Sequence, residues 1–412
     1  MTMARDASPA LGVLSGMRVV EAGAFVAAPL GGMTLAQMGA DVIRIDTVGG
    51  GLDYRRWPVT KDNISLFWTG LNKSKRSVVL DLASPEGREI AMALITAPGE
   101  DAGLFLTNFP ARGWLDHDKL RTKRADLIQL TLQGDRYGGS AVDYTVNAML
   151  GVPQFTGSED GTLPVNHVLP AWDLITGQMV AVGLLAAERH RTRTGQGQHV
   201  KLALQDVGLA VLAHLGFIAE AQMGQPRQRH GNELFGAFGR DFVCASGERV
   251  MVVGLTAKQW RCIVDATGLP AQFDAIAART GLDLGQEGNR FLARREIGEA
   301  VGAWIATRPL AEVSAAFEVH GVCWSRYQDI AALVQSDAEC SPANPMFANI
   351  QQPGVGPVLA PGIPLDFQGS GRLPPAPAPV LGEHTEVVLA ELLGIDAAQF
   401  GRLHDKGVVG GA

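Results

Sequence analysis

Short apolar runs rich in β-branched residues recur through the first half of the chain, separated by glycine-marked turns and by stretches with helical spacing. Met17–Ala22 (MRVVEA), Asp41–Asp46 (DVIRID), Ser77–Leu82 (SVVLDL), Leu104–Leu106 and Leu127–Leu132 (LIQLTL) read as strands. They lack the in-out alternation of a half-exposed strand, which points to burial on both faces. Between them, GAFVAAPLGGMTLAQMGA reads as a helix rich in small residues, and SPEGREIAMALIT as a helix capped by Ser84. Strand, helix, strand with tight turns is the pattern of a parallel βαβ unit, so the first half is predicted to be an open α/β domain.

The second half is less regular. Asp173 opens a helix running to about His190, in which Gly177, Ala181, Gly183, Ala186 and Ala187 permit close approach of a neighbour. Val200–Leu204 reads as a strand, followed by a long apolar helix through Ala219. The periodicity lapses near Gly224, where AQMGQPRQRHGNELFGAFGRDF reads as a linker or an active-site loop. A strand at Glu248–Leu255 and helices at Ala257–Thr267, Ile297–Ala306 and Leu310–Val319 follow. A proline-rich stretch, Pro342–Pro379, then leads to a closing helix, Glu383–Leu393. The boundaries predicted are a large domain of residues 1–223 and 338–412 and a smaller α+β domain of residues 224–337.

Composition narrows the function classes. The chain has 412 residues, 46% hydrophobic and 19% charged, with a formal net charge of -7. That is globular, and it disfavours nonspecific nucleic-acid binding, which needs a basic face. Cys244, Cys262, Cys323 and Cys340 show neither CxxC spacing nor a Cys/His cluster, so free thiols and no metal are expected. The N-terminus, MTMARDASPALGVLSG, has no signal-peptide run, and no stretch reaches the ~18–20 apolar residues of a membrane span. A cytoplasmic protein is expected.

The familiar motifs are missing. After the first strand Gly23 fits the first position of a dinucleotide-binding GxGxxG, but Phe25 stands where the second glycine belongs. There is no P-loop, GxSxG or HExxH. The nine histidines form no ligand pair; His117, His167, His199 and His384 read singly as structural. Lys73, Lys75 and Arg76, with Arg44, Arg55 and Arg56, form either a solvated basic surface or a phosphate-binding rim. Asp173 carries the sharpest alternative. At a helix start it is an N-cap, kept charged by the helix dipole, or a nucleophile toward an activated acyl group.

Several segments together resemble family III CoA-transferases, the formyl-CoA and carnitine CoA-transferase group. They are LSGMRVVEAGAFVAAPLGGMTLAQMGADVIRID, LNKSKRSVVLDLASPEGREI, TNFP, RTRTGQGQHVKLALQDV and LGEHTEVVLAELLG, in the family's order over nearly the whole chain. The resemblance implies a doubly wound α/β large domain, a smaller α+β domain and an interlocked, ring-like homodimer. It places the family's catalytic aspartate on Asp173, and CoA contacts on Leu80, Asn108 and Phe109. Basic family positions fall instead on Thr47, Ala83 and Gln133. Arg55, Lys75, Arg76 and Arg112 are therefore the candidates for the CoA phosphates. The family's glycine-rich active-site loop is replaced by NELFGAFGRDF.

Within the family, DYTVNAMLGVPQFTG, PVNHVLPAWD, AERHRTRTGQGQ and FGAFGRDF are similar to the mesaconyl-CoA (2-methylfumaryl-CoA) isomerases, which move CoA between the two carboxyls of one mesaconate. Asn166, His167 and Arg240 lie in those segments and are the substrate-binding candidates, ordinary loop structure being the alternative for each. No cofactor is expected, since coenzyme A arrives on the substrate. The implied partners are an acyl-CoA thioester, a dicarboxylic acid and a second copy of the chain, with no nucleic acid and no membrane. In the chemistry so implied, an aspartate carboxylate displaces CoA thiolate and then forms an aspartyl-CoA thioester. For ordinary groups that first step runs against a gap of roughly 4–5 pH units between carboxylate and thiol. Backbone N–H groups at the helix start beyond Asp173, or in FGAFG, are the oxyanion donors considered. The other readings are an intermolecular CoA-transferase, a CoA-ester racemase and a non-catalytic CoA-binding protein. The racemase is disfavoured because Val142 stands before Asp143 where the similar racemases carry a histidine.

Overall fold

The computed structural model describes residues 12–411; most of the N-terminal stretch MTMARDASPALGVLSG lies outside them. The chain divides into two compact units. The first holds the residues up to Leu150, Val168–Gly216 and those from Asp337 onward; the second holds Gly151–His167 and Phe217–Ser336. The second unit thus takes in residues 151–167, which the sequence reading assigned to the large domain. Arg229 explains why: its Nε donates to the Gln154 carbonyl and its Nη1 to that of Gly161, while Phe155 stacks on Phe217 with ring centroids 5.0 Å apart.

In the first unit, six parallel strands form the body of one sheet: β1 (Arg18–Ala22), β2 (Asp41–Asp46), β3 (Arg76–Leu80), β4 (Leu104–Thr107), β5 (Ile128–Gln133) and β6 (His199–Ala203). Their spatial order is β3-β2-β1-β4-β5-β6. Both faces are covered. Val19, Val42, Leu104 and Leu130 point into one apolar cluster, and Val20, Ile43, Val78 and Phe105 into the other. Successive residues of a strand face opposite ways, so an apolar run without alternation is what two covered faces require. Because β1 pairs with β2 on one side and β4 on the other, the connections after β1 and β4 part company. A crevice opens there at the carboxyl ends of the strands.

A 24-residue helix, Ala171–Thr194, packs over one face against helix Ala27–Gln37. The seam is made of glycine. A Cβ on Gly177 would come within 2.8 Å of Leu30 Cδ2, and one on Gly31 within 2.4 Å of Val180 Cγ1. Side chains at either position would force the helices apart. The predicted helix from Asp173 to His190 is therefore present and longer at both ends. After β6 the apolar helix stops at His214, because Gly216 adopts φ 84°, and a separate helix, Phe217–Gln222, begins beyond it.

The second unit carries an antiparallel sheet of β7 (Phe238–Val243), β8 (Arg249–Gly254) and β9 (Cys323–Arg326), in the order β7-β8-β9. Helices including Ala257–Thr267, Arg294–Ala306 and Leu310–His320 cover it over a core of Phe238, Val250, Trp260, Ile297 and Phe317. The aperiodic FGAFGRDF segment is thus partly strand. Back in the first unit, the proline-rich stretch folds into an antiparallel hairpin, β10 (Phe347–Gln352) and β11 (Gly356–Pro361). The two-residue β12 (Val409–Gly410) pairs antiparallel with β3, Val409 opposite Leu80. The four cysteines are free thiols. Among the described residues, no helix is long and apolar enough to cross a membrane.

Candidate active site

The crevice beyond β1, β4 and β5, bordered by the edge strand β6, is a cleft of about 540 Å³, lined by Phe25, Asn108, Phe109, Arg112, Gln133, Ser140, Asp173, His199 and Lys201 among others. Two clamps hold its mouth. Asn108 closes a reciprocal pair with Ala24, its Oδ1 accepting from the Ala24 N–H at 3.0 Å and its Nδ2 donating to the Ala24 carbonyl at 2.9 Å. The next N–H, of Phe25, donates to Asp53 Oδ2 at 2.5 Å. Phe25 takes φ 66°, a left-handed conformation that costs a residue with a side chain of order 1–3 kcal/mol. The Asp53 bond offsets that cost and presents the ring to the cleft.

Asp173 is the third residue of its helix, and it is not the cap. Asp143 has that role: its Oδ2 accepts from the N–H of Trp172 at 2.8 Å and of Asp173 at 3.2 Å. The neighbouring N–H groups are also engaged, Ala171 with the Leu169 carbonyl and Leu174 with that of Pro170. The helix start therefore offers no N–H for an oxyanion, which corrects one sequence-level expectation. The dipole does not hold Asp173 in the ordinary carboxylate range. Burial, then the nearby Asp143 carboxylate, push its pKa up to about 7, with Arg56 pulling the other way. A base with that pKa gives an activity that rises with pH to a plateau above about 7. We expect this limb in kcat/KM, and we expect Asp143→Asn, which keeps an acceptor oxygen but removes the charge, to move it to lower pH. A limb that stayed in place would show that Asp143 does not act on Asp173.

The predicted CoA contacts divide. Asn108, Phe109 and Arg112 line the cleft. Leu80 is fully buried under the sheet, so its side chain touches no ligand. Lys75 is buried too: its Nζ lies 2.8 Å from Glu21 Oε2, in an interior network with Arg44 and Asp46, and it is withdrawn as a phosphate contact. Arg76 starts β3, away from the carboxyl ends that form the cleft, and is engaged by Asp41 at 2.5 Å and Glu391 at 2.6 Å. Arg55 is exposed at the end of the short turn Leu52–Arg55 and does not line the cleft; its neighbour Arg56 lies over Phe25. Asn166, His167 and Arg240 belong to the second unit, and Arg240 pairs there with Glu233 at 3.3 Å.

Sequence reasoning passed over Lys201, which supplies a cation to the cleft, and the His199–His117 stack, with centroids 5.0 Å apart. Burial first, then His117 and Lys201, hold the His199 pKa down at about 4, so the ring is neutral near pH 7. Alternation in HVKLA was the available signal for Lys201: one strand face contributes His199 and Lys201 together to the cleft.

The description CoA-transferase family III matches residues 14–385. The chain is 59% identical over 402 residues to 2-methylfumaryl-CoA isomerase of Chloroflexus aurantiacus, covering 97% of this chain and 98% of that protein. It is 29% identical to succinyl-CoA:mesaconate CoA-transferase of Haloarcula hispanica, over 92% and 96% of the two chains. Its fold is similar to the crystal structure of a CAIB/BAIF family protein from Brucella suis, with a TM-score of 0.75, 23% identity and coverage of 93% and 100%.

Proposed function

This chain belongs to CoA-transferase family III, and we propose that within it the protein isomerises mesaconyl-CoA, moving CoA from one carboxyl of mesaconate to the other through an aspartyl-CoA thioester on Asp173. The observation that carries the substrate is the 59% identity, over almost the whole of both chains, with 2-methylfumaryl-CoA isomerase.

The site supports the chemistry. Asp173 attacks the thioester carbonyl, the C–S bond breaks, and a mixed anhydride and CoA thiolate result. The thiolate attacks the aspartyl carbonyl, giving aspartyl-CoA and free mesaconate. Mesaconate turns, and its other carboxylate attacks aspartyl-CoA, again releasing thiolate. The thiolate then takes the mesaconyl carbonyl at the new end and frees Asp173. No net proton or electron moves. With Asp173 at about 7, the gap to a thiol near ~8.5 shrinks to roughly 1–2 pH units, so burial makes the carboxylate a better match for its leaving group. Gln133 and Ser140, polar groups of the cleft, are the donors proposed for the tetrahedral oxyanions. Arg112 and Lys201 are those proposed for the anionic CoA.

The test is direct. Incubated with one mesaconyl-CoA regioisomer, the protein should yield the other by chromatography, with no label incorporated from free mesaconate in solution. Absence of the second regioisomer would reject the reading. Extensive incorporation would favour transfer between separate acids, as the name of the Haloarcula hispanica relative describes for that protein. We read the assembly as an interlocked homodimer. The long helix exposes Ile175, Met179 and Val182 at helical spacing, 37%, 43% and 55% accessible, an apolar stripe suited to a second copy. A solution mass of one 43.6 kDa chain would refute this.

A further inference from the structure

Arg56 stands out among the cations of the first unit. Its guanidinium carbon lies 5.0 Å from the centroid of the Phe25 ring and 5.1 Å from that of Phe67. Among the described residues no carboxylate lies within ion-pair distance of it, whereas Arg44, Arg76 and Arg124 each have one. It is exposed, yet its guanidinium packs near both rings, which limits the freedom lost when it meets an anion. Phe25 lines the same cleft as Asp173.

We propose that Arg56 is the specificity-determining residue for the acyl group, binding through its planar fork the carboxylate of the dicarboxylic acid that is not bonded to CoA. This rests on the reading of the site as acting on a dicarboxylyl thioester. Such a substrate brings a negative charge to a cleft that already holds Asp173 beside the buried Asp143, and a monocarboxylyl thioester does not. Like charges brought together weaken binding unless a cation answers them. Arg56 lies against Phe25, which shares the cleft wall with Asp173, and its positive charge reaches that carboxyl. After CoA has moved to Asp173, the freed acid is a dianion, and one Arg serves either end. It holds whichever carboxylate is idle while the other faces the aspartyl thioester, which keeps the acid from leaving.

The experiment compares mesaconyl-CoA with crotonyl-CoA, which has the double bond but no second carboxylate. The readout is the rate of hydroxylamine-sensitive aspartyl-CoA formation. Wild type, Arg56→Gln and Arg56→Lys are measured at pH 9, where Asp173 is ionised and the effect of Arg56 on its charge drops out. Wild type should prefer the mesaconyl thioester. Arg56→Gln should lower the mesaconyl-to-crotonyl ratio by about 30-fold, the size expected for a charge-assisted bidentate contact. Arg56→Lys, which keeps the charge and loses the fork, should recover part of it. A ratio unchanged within about 2-fold overturns the proposal, however far the absolute rates move, as does a wild type with no preference. A wild type that favours the mesaconyl thioester but makes no second regioisomer rejects the isomerase reading and leaves the anchor standing. A wild type that acylates on neither thioester overturns both.

Discussion

Asp173→Asn is expected to lower kcat for CoA transfer by about 10⁴-fold or more, the scale on which loss of a covalent nucleophile is felt. No hydroxylamine-sensitive CoA adduct should form on the variant. The same substitution should stabilise the protein, and the sign follows from linkage. The folded-state pKa of Asp173 is about 7, raised from 3.8, so between those values the folded protein binds more protons than the unfolded chain. Stability is therefore lost as pH climbs through that window, and the deficit is complete above pH 7. Asparagine carries no such charge. After allowance for screening at the mouth of the cleft, Asp173→Asn should gain about 2 kcal/mol over wild type at pH 8, and much less at pH 4. Denaturant unfolding at the two pH values reads the difference. Retained transfer activity would remove Asp173 from the mechanism, and equal stabilities at pH 8 would mean that its raised pKa has been misassigned.

The second large effect lies at Lys75, and it is structural. The Lys75 ammonium donates to both oxygens of Glu21, at 2.9 and 2.8 Å, to Asn72 Oδ1 at 2.9 Å and to the Pro29 carbonyl at 2.8 Å. Of the two Glu21 oxygens, Arg44 reaches Oε1 alone. Lys75→Met would thus leave Oε2 of a fully buried carboxylate with no donor, the situation in which a broken interior ion pair costs about 3–5 kcal/mol. Unfolding free energy should drop by that amount, with KM for the acyl-CoA unchanged in the protein that remains folded. The reverse result, an unaltered stability with a raised KM, would return Lys75 to the CoA phosphates.

Lys75 also shows where reading the sequence stops. Three basic residues in LNKSKR look alike as letters, and spacing cannot tell a solvated cation from one drawn 0% exposed into the interior by Glu21, a partner 54 positions away. Conversely, the sheet was legible because parallel strands covered on both faces leave runs such as RVVEA and IQLTL. The small-residue helices were legible because Gly31 and Gly177 have to meet. What escaped was set by partners distant in sequence. The cap on the helix that carries Asp173 comes from Asp143, 30 residues before it, and the sequence offers Asp173 as a cap alternative because both belong at a helix start. Residues 151–167 were assigned to the wrong unit because Arg229, which holds two of their carbonyls, lies beyond the long helix. Arg55 was chosen over Arg56 because nothing in YRRW says which guanidinium finds the Phe25 ring.

The strand pairing Val409 with Leu80 has a consequence for how the chain is made. The edge of the principal sheet is contributed by residues synthesised after the entire second unit, which is itself threaded into the first as two insertions. While the ribosome is still reading the middle of the message, β3 has an open flank, and the apolar bed that will receive Val408 and Val409 is uncovered. The second unit is complete in the nascent chain before the first receives its last strand, and until then the first presents an open sheet edge of the kind on which neighbouring chains pair.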